Sequence, residues 1–388
     1  MAIPVISGLG EVHPCRRSGR SAESLILEAI RAAIDDAGLV PSDIEGVVTE
    51  AKLTPESMSI DRLVPSLGLD RLRVQALSSP VGAGILLAVA HAHEMVKSGV
   101  ARHVITYFGV DWGTNGSGPA GLHGAMSAKR DVEYPVGFSG PPPYFAALAH
   151  RYAHVYGLGP DELTQLLATV VISTRANARR HRHAQNQDQL TEAQYLAQPY
   201  FAQPLRRSDI SLLSDGAVAL VVSASDAVPA EKAEVTLAGW GHAVQPIQDE
   251  SFYTQSRELP HLPATAAVAD MILTRAGSSV ASADLVELYD CFSIATVIQL
   301  ESLGLTKPGR TLERVADEAM GVDGDLPVNT HGGLLSHGYT LGAGHVAEAV
   351  RQLRHEALGN AVVDATSAFV GAGPGRQYTG LFLRRTDV

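Results

Sequence analysis

The stretch His331–His345, HGGLLSHGYTLGAGH, concentrates side chains with chemical potential. It holds five glycines, three histidines and one tyrosine, Tyr339, in fifteen residues. Glycine at this density is unfavourable inside a helix or strand, because it gives up the most backbone entropy on folding. It belongs where a chain turns tightly or comes close to a ligand. Directly afterwards, Val346, Val350 and Leu353 have helical spacing. A glycine-rich turn feeding a helix N-terminus can hold an anion or a carbonyl oxygen, since unpaired N–H groups point at it. The residues alone fit either such a ligand loop or a tight structural turn. A second candidate is the basic patch Arg175–His183, which contains Arg179. It reads either as a solvated helix end favoured by the dipole or as a contact for phosphates in an acidic chain.

The elements that must position these groups can be read along the chain. Val5–Leu9 is a short strand. Ser21 suits an N-cap, residues 26, 27, 30, 33 and 34 form one apolar helix face, and Gly38 stops that helix. A strand over Glu45–Thr49 follows. Arg73–Leu77, Gly82–Ser98 and His103–Gly109 then read as strand, helix and strand. Asp111–Pro143 is rich in glycine and proline and reads as a long loop, functional or disordered. Tyr134, Phe138, Tyr144 and Phe145, in or beside it, either line an apolar pocket or anchor the loop to the core. Helices are predicted over Pro142–Tyr156 and Pro160–Ala178, and Ser214 begins a turn into a buried strand ending at Val222.

The later chain repeats this plan. Val235–Trp240, Pro263–Ala276 and Leu285–Tyr289 read as strand, helix and strand. Ile26–Ile44 and Ala267–Leu285 both run helix, Ala-Gly, a serine–aspartate entry, then strand. The helix and strand of 82–109 match Gly344–Gly359 followed by Ala361–Val370. Such a duplication implies an α/β fold of two similar halves, with mixed sheets and helices in layers. The halves are residues 1–228, including the loop region 111–210, and 229–388. The active site is expected where loops from both converge.

Composition narrows the function. With 388 residues, 45% of them hydrophobic, the chain can bury a large core, and its net charge of −11 disfavours nucleic acid. Cys15 and Cys291 are far apart and form neither a disulfide framework nor a zinc motif. His181 and His183 are a weak ligand pair on a basic stretch, and no metal is expected. No apolar run is long enough to span a bilayer, and the N-terminus lacks the order of a signal peptide. A cytoplasmic protein is expected.

Four stretches together resemble the thiolase superfamily over nearly the whole chain. Ser211–Val222 carries the family's SDGA segment. Tyr289-Asp-Cys-Phe292 stands where thiolases of the sterol-carrier-protein type have His-Asp-Cys-Phe and others Asn-Glu-Ala-Phe. Gly332 to Gly344 resembles the GGxxxxGHPxGxSG loop. Phe369–Gly375 resembles the terminal Cys-x-Gly-x-Gly-x-Gly loop.

The departures from that pattern carry the functional expectation. A thiolase needs a cysteine at the N-terminus of a buried helix, where the dipole lowers its pKa. Here Leu77–Gly84 has none; Ser78 and Ser79 are possible replacements without an evident base. Tyr339 replaces the GHP histidine, Phe369 the second cysteine and Tyr289 the polar residue before Asp290. Either the scaffold is inert or its chemistry is rebuilt around tyrosine. Paired tyrosines are similar to the steroid side-chain-cleaving aldolases. That resemblance implies a lyase cleaving a β-hydroxyacyl-CoA, such as a 17-hydroxy steroid side-chain thioester, to a ketone and a short acyl-CoA such as propionyl-CoA. It also implies a homodimer and a small OB-fold, zinc-ribbon partner in an α2β2 assembly. The zinc belongs to that partner, and no cofactor is expected in this chain.

Retro-aldol cleavage needs no acyl-enzyme, whereas thiolysis does. It needs a group to take the β-hydroxyl proton and another to support the enolate oxygen. Tyr289 is assigned to the enolate oxygen and Tyr339 to the proton, or the reverse, with Asp290 orienting its neighbours. A phenol's usual pKa near 10 is high for a base, and His337 and His345 are candidates for lowering it. Gly333, Gly338, Gly371, Gly373, His345 and Arg179 are assigned to substrate binding. The alternatives are an acyltransferase with an atypical nucleophile and a non-catalytic lipid or acyl-CoA carrier.

Overall fold

The computed structural model describes residues 3–51, 58–78, 82–116, 118, 127, 129–232, 235–245, 259–316, 318–373 and 375–386. Its strands are β1 (Pro4–Cys15), β2 (Gly46–Glu50), β3 (Val74–Ser78), β4 (His103–Asp111), β5 (Tyr200–Ala202), β6 (Leu205–Arg206), β7 (Asp215–Ala224), β8 (Val235–Val244), β9 (Leu285–Leu288), β10 (Ser367–Ala372) and β11 (Gln377–Arg385). Nine of them form one sheet in the order β3-β2-β4-β7-β1-β8-β11-β10-β9, while β5 and β6 pair separately.

The order on the two sides of β1/β8 is the same in reverse. On one side β2 pairs in parallel with β4, and β7 runs antiparallel between β4 and β1. On the other, β9 pairs in parallel with β10, and β11 runs antiparallel between β10 and β8. A parallel bridge, Val286 to Val328, stands where β3 stands beside β2. Among the described residues, β1 and β8 pair at Val5–Thr236, and Thr236 Oγ1 donates to the Pro4 carbonyl at 2.8 Å.

The helices used below are α1 (Ala22–Asp36), α2 (Gly84–Lys97), α3 (Pro141–Tyr156), α4 (Pro160–Arg180), α5 (Pro263–Ala276), α6 (Ser293–Ser302) and α7 (Ala343–Leu353). Ser21 caps α1, accepting from the Ser24 amide at 3.3 Å. The apolar face of α1 packs on β1, β7 and β4. The corresponding α5 packs on β8 and β11. Helices α2 and α7 lie between the two sides of the sheet, touching each other and strands of both. That position explains their composition. A helix covered all round has no polar face to show, and Ile85 to Ala90 in α2 are all buried.

Several elements differ from the sequence reading: the helix read over Gly344–Gly359 ends at Leu353, and the strand read over Val235–Trp240 runs to Val244. Strand β1 extends to Cys15, because its whole length pairs with β7. The last parallel strand begins at Ser367, and residues 361–366 form turns before it. Within the expected loop 111–143, the described residues include a helical turn, Trp112–Asn115, and the turns Lys129–Glu133 and Tyr134–Val136. Among the described residues, no helix is long and apolar enough to cross a membrane.

Candidate active site

Tyr289 follows β9 directly. Its amide donates to the Gly371 carbonyl at 3.0 Å, and its carbonyl accepts from Gln299 Nε2 of α6 at 2.9 Å. Its backbone is therefore held between β10 and a buried helix. Tyr339 lies on the glycine-rich loop. Its amide donates to Ser214 Oγ at 2.9 Å, and that hydroxyl donates in turn to Gln185 Oε1 at 2.7 Å. The edge of Trp112 packs against its ring at 5.1 Å. Residues fifty apart in sequence thus bring two phenol oxygens to 2.7 Å from each other.

The loop between them has a reason for its glycines. Asp290 is fully buried. Its carboxylate accepts from the amides of Leu334 and Leu335 at 2.7 and 3.3 Å, and His345 Nε2 lies 3.2 Å away. Residues 333–337 wind into one wide helical turn around this carboxylate. Gly333 sits there at φ +57, and a Cβ would fall 2.0 Å from Asp290 Oδ2. Segments from elsewhere dock on the same turn: Gln185 and Asn186 donate to the carbonyls of His337 and Ser336, and Leu212 donates to that of Leu334. The SDGA segment thus fastens the loop down, with Ser211 also donating to the Cys291 carbonyl.

Both tyrosines open on a cavity of about 1210 Å³. That exceeds the roughly 300–1,000 Å³ of ordinary small-molecule pockets. One wall is aromatic, with Trp112, Tyr144, Phe145 and Phe292 lining it; Phe145 and Phe292 stack at 4.2 Å. Tyr134 and Phe138 are not among the lining residues. Among the described residues, basic side chains also line the cavity, Arg16, Arg17, Lys129, Arg175, Arg207 and Arg376, against one lining carboxylate, Asp188. A chain of net charge −11 therefore turns positive charge toward this opening.

The electrostatics favour a neutral phenol at Tyr339. Burial raises the Tyr339 pKa above its ordinary value; nearby Cys291 and Asp290 add to this, and the hydrogen bond with Tyr289 offsets part of it. Neither His337 nor His345 acts to lower it, contrary to the sequence expectation. His337 is itself buried and held well below its usual pKa, first by desolvation and then by neighbouring His331. Its two ring nitrogens have no hydrogen-bond partner among the described residues. Cys291 lines the cavity, but burial and the adjacent Asp290 push its thiol well above the usual value. It is no thiolate nucleophile.

The other site residues read from sequence divide. Gly373 lines the cavity at φ +97, where a Cβ would meet Gln377 O at 2.6 Å and Ala83 Cβ at 2.9 Å. Gly82 and Ala83, at the start of α2, line it too. Gly338 packs on Pro14, and Gly371 lies under the Tyr378 hydroxyl; neither is a lining residue. His345 is buried behind the loop on Asp290. Arg179 is exposed and away from the cavity. The residue of the basic patch that reaches the cavity is Arg175, one helical turn earlier, whose Nε donates to Ser336 Oγ at 2.8 Å. Arg179 lies on nearly the same face of α4, but in its last turn, where it is exposed. Ser78 is buried and donates to the Thr49 carbonyl at 3.3 Å; Ser79 lies outside the described residues.

Sequence reasoning did not single out Trp112, Ser214, Phe292 or the exposed arginines as site residues. Ser214 carried a signal, since it precedes the SDGA aspartate, but its contact with Tyr339 depends on long-range packing.

Comparison with known proteins gives the same picture. Residues 247–379 match the family described as thiolase C-terminal domain-like. The chain is 31% identical to a 17-hydroxy-3-oxo-4-pregnene-20-carboxyl-CoA lyase of Mycobacterium tuberculosis, over 97% of this chain and 98% of that one. It is 30% identical to a steroid side-chain-cleaving aldolase of Thermomonospora curvata, over 97% of each. Its fold superimposes on a solved Ltp2-ChsH2(DUF35) aldolase with a TM-score of 0.89 and 29% identity, covering 99% of this chain and 98% of that one.

Proposed function

The chain belongs to the thiolase superfamily, with the steroid side-chain-cleaving aldolases, and we propose that it cleaves a β-hydroxyacyl-CoA by a retro-aldol reaction through the Tyr289–Tyr339 pair. The 2.7 Å contact between the two hydroxyls carries this reading. A lone tyrosine base would have to ionise first. With a pKa near 10, that costs about 4 kcal/mol at neutral pH, and burial of Tyr339 raises the cost. A hydrogen-bonded pair avoids it.

In the substrate the β-hydroxyl and thioester oxygens stand on carbons separated by one atom, about one hydrogen-bond length apart. One phenol oxygen accepts the hydroxyl proton as the Cα–Cβ bond breaks and the β-carbon becomes a ketone. That phenol passes its own proton to its partner, and the partner gives its proton to the developing enolate oxygen. The electron pair of the broken bond ends in the enol, which becomes the short acyl-CoA as Cα takes a proton from water and the enol oxygen gives its proton up. No phenolate accumulates, and the direction of the hydrogen bond reverses once per turnover. Donors of this kind contribute roughly 3–4 kcal/mol each to oxyanion stabilisation.

The aromatic wall and the size of the cavity suit a rigid apolar body, and the arginines suit the CoA phosphates. We take the substrate to be a 17-hydroxy steroid side-chain CoA thioester and the products a 17-ketosteroid and propionyl-CoA. Strand β3 ends the sheet with Leu77 67% exposed. Such an open edge supports a homodimer. A small OB-fold, zinc-ribbon partner would complete an α2β2 assembly in the cytoplasm, with its zinc in the partner.

The test is co-expression with such a partner and incubation with the steroid thioester. Formation of propionyl-CoA and ketosteroid in equal amounts supports the reading. Transfer of an acyl group to the protein, seen by intact mass, would favour an acyltransferase. Binding without cleavage would favour a carrier.

A further inference from the structure

Behind the glycine loop lies a group of side chains that the retro-aldol chemistry does not use. Glu287 is on β9, His331 begins the loop and His345 is in the first turn of α7. All three are at least nine-tenths buried. Each offers a ligand atom, and the three atoms lie within 4.8 Å of one another. We propose that Glu287, His331 and His345 bind one divalent transition-metal ion of the zinc class.

The unpaired atoms carry the argument. His331 Nε2 and His345 Nδ1 have no hydrogen-bond partner among the described residues, while Glu287 Oε2 faces His331 Nδ1, an ion pair when that ring is protonated. Buried polar atoms are almost always paired, and a cluster of orphans in one place signals a missing ion or water. Glu287 Oε2 and His331 Nδ1 are 2.9 Å apart but poorly aligned for a hydrogen bond. Two ligands of a tetrahedral ion with bonds of about 2.1 Å stand slightly further apart than this. The three ligand atoms lie within 4.8 Å of one another and would have to close on the ion by side-chain movement.

The surroundings are those of a metal ligand set. Glu287 Oε1 accepts from the Thr330 amide and hydroxyl, both at 2.9 Å, which fixes the carboxylate and aims Oε2. His345 Nε2 lies on Asp290 at 3.2 Å, which leaves Nδ1 as the binding nitrogen. A carboxylate behind a ligating imidazole fixes its tautomer and raises its basicity. Two imidazoles and one carboxylate suit zinc and its neighbours; magnesium and calcium prefer oxygen ligands. Nearby Glu348 is also buried, which raises its pKa. The ion would join β9, the loop and α7, the segments that carry Tyr289, Asp290 and Tyr339.

The experiment uses the full-length chain, purified without a histidine tag or chelator. Elemental analysis should find close to one zinc-class ion per chain, and His345→Ala and Glu287→Gln should each lose it. Refolding with cobalt(II) should give the visible absorption of a low-coordinate site. If these variants do not fold, X-ray absorption of the wild-type metal should show two imidazoles and no sulfur. A folded wild-type chain that holds no stoichiometric metal as isolated, and takes up no cobalt on refolding, overturns the site. So does metal that both folded variants retain, or a sulfur ligand. In that case the cluster is a buried ion pair completed by water.

Discussion

Tyr289 Oη and Tyr339 Oη are 2.7 Å apart, and the two rings meet at 62° with their centroids 6.3 Å apart. Each phenol is about 5–6% exposed, so both are withdrawn from bulk water yet face the cavity. Tyr289→Phe and Tyr339→Phe each remove one link of the relay without changing ring packing. Each should lower kcat by at least about a hundredfold, the usual scale of general acid–base contributions. The double variant should lose little more, because the two groups act as one unit. Circular dichroism should show an unchanged fold. Near-wild-type turnover in both single variants would sink the relay.

The phenols also set an alkaline limit. Burial raises the Tyr107 pKa to about 12 and raises that of Tyr339 as well. A group whose folded pKa is raised contributes stability that is fully present below its unfolded pKa, about 10 for tyrosine. That stability is lost as pH rises through the folded value. These phenols should therefore leave the melting temperature level up to about pH 10, with a decline beyond it. Thermal melts by circular dichroism, with tyrosine ionisation followed by absorbance, check this. Full ionisation of all eleven tyrosines near pH 10 in a chain that stays folded would contradict it.

How much of this was legible in the sequence depended on range. The duplicated strand–helix–strand plan is local, so β2, α2, β4 and their counterparts β9, α7 and β10 could be read from periodicity and glycine stops. Tyr289 and Tyr339 stood out because each replaces a polar residue in a short motif. Their contact could not be read, since fifty residues, α6 among them, intervene. Arg179 shows the limit at a finer scale. A basic run says that positive charge is present, but which turn of α4 is covered by the rest of the fold decides which arginine lines the cavity, and it is Arg175. The Glu287–His331–His345 cluster left no spacing motif because its members come from three elements.

Asp290 is the pin of the glycine loop. Its carboxylate accepts from two loop amides and contacts His345, all out of water. Asp290→Asn keeps the shape but turns an NH₂ toward a donor. Leaving a buried donor unpaired costs about 1–3 kcal/mol. Urea denaturation should show a loss of that order, with kcat falling because Tyr339 rides on the same loop. Unchanged stability and turnover would mean that the loop holds its shape without the carboxylate.

Arg376 tests the anionic end of the substrate. It is exposed and lines the cavity beside Gly373 and Gly375. An exposed charge pair contributes about 0.2–1 kcal/mol. Reversing the charge in Arg376→Glu should therefore raise KM for the CoA thioester by up to about tenfold at low salt. The effect should shrink as ionic strength shortens the Debye length toward about 8 Å. The kcat should stay close to that of the wild type, because ground state and transition state carry the same phosphates. A fall in kcat with unchanged KM would place Arg376 in the chemistry instead, and a salt-independent KM would remove the phosphates from its role.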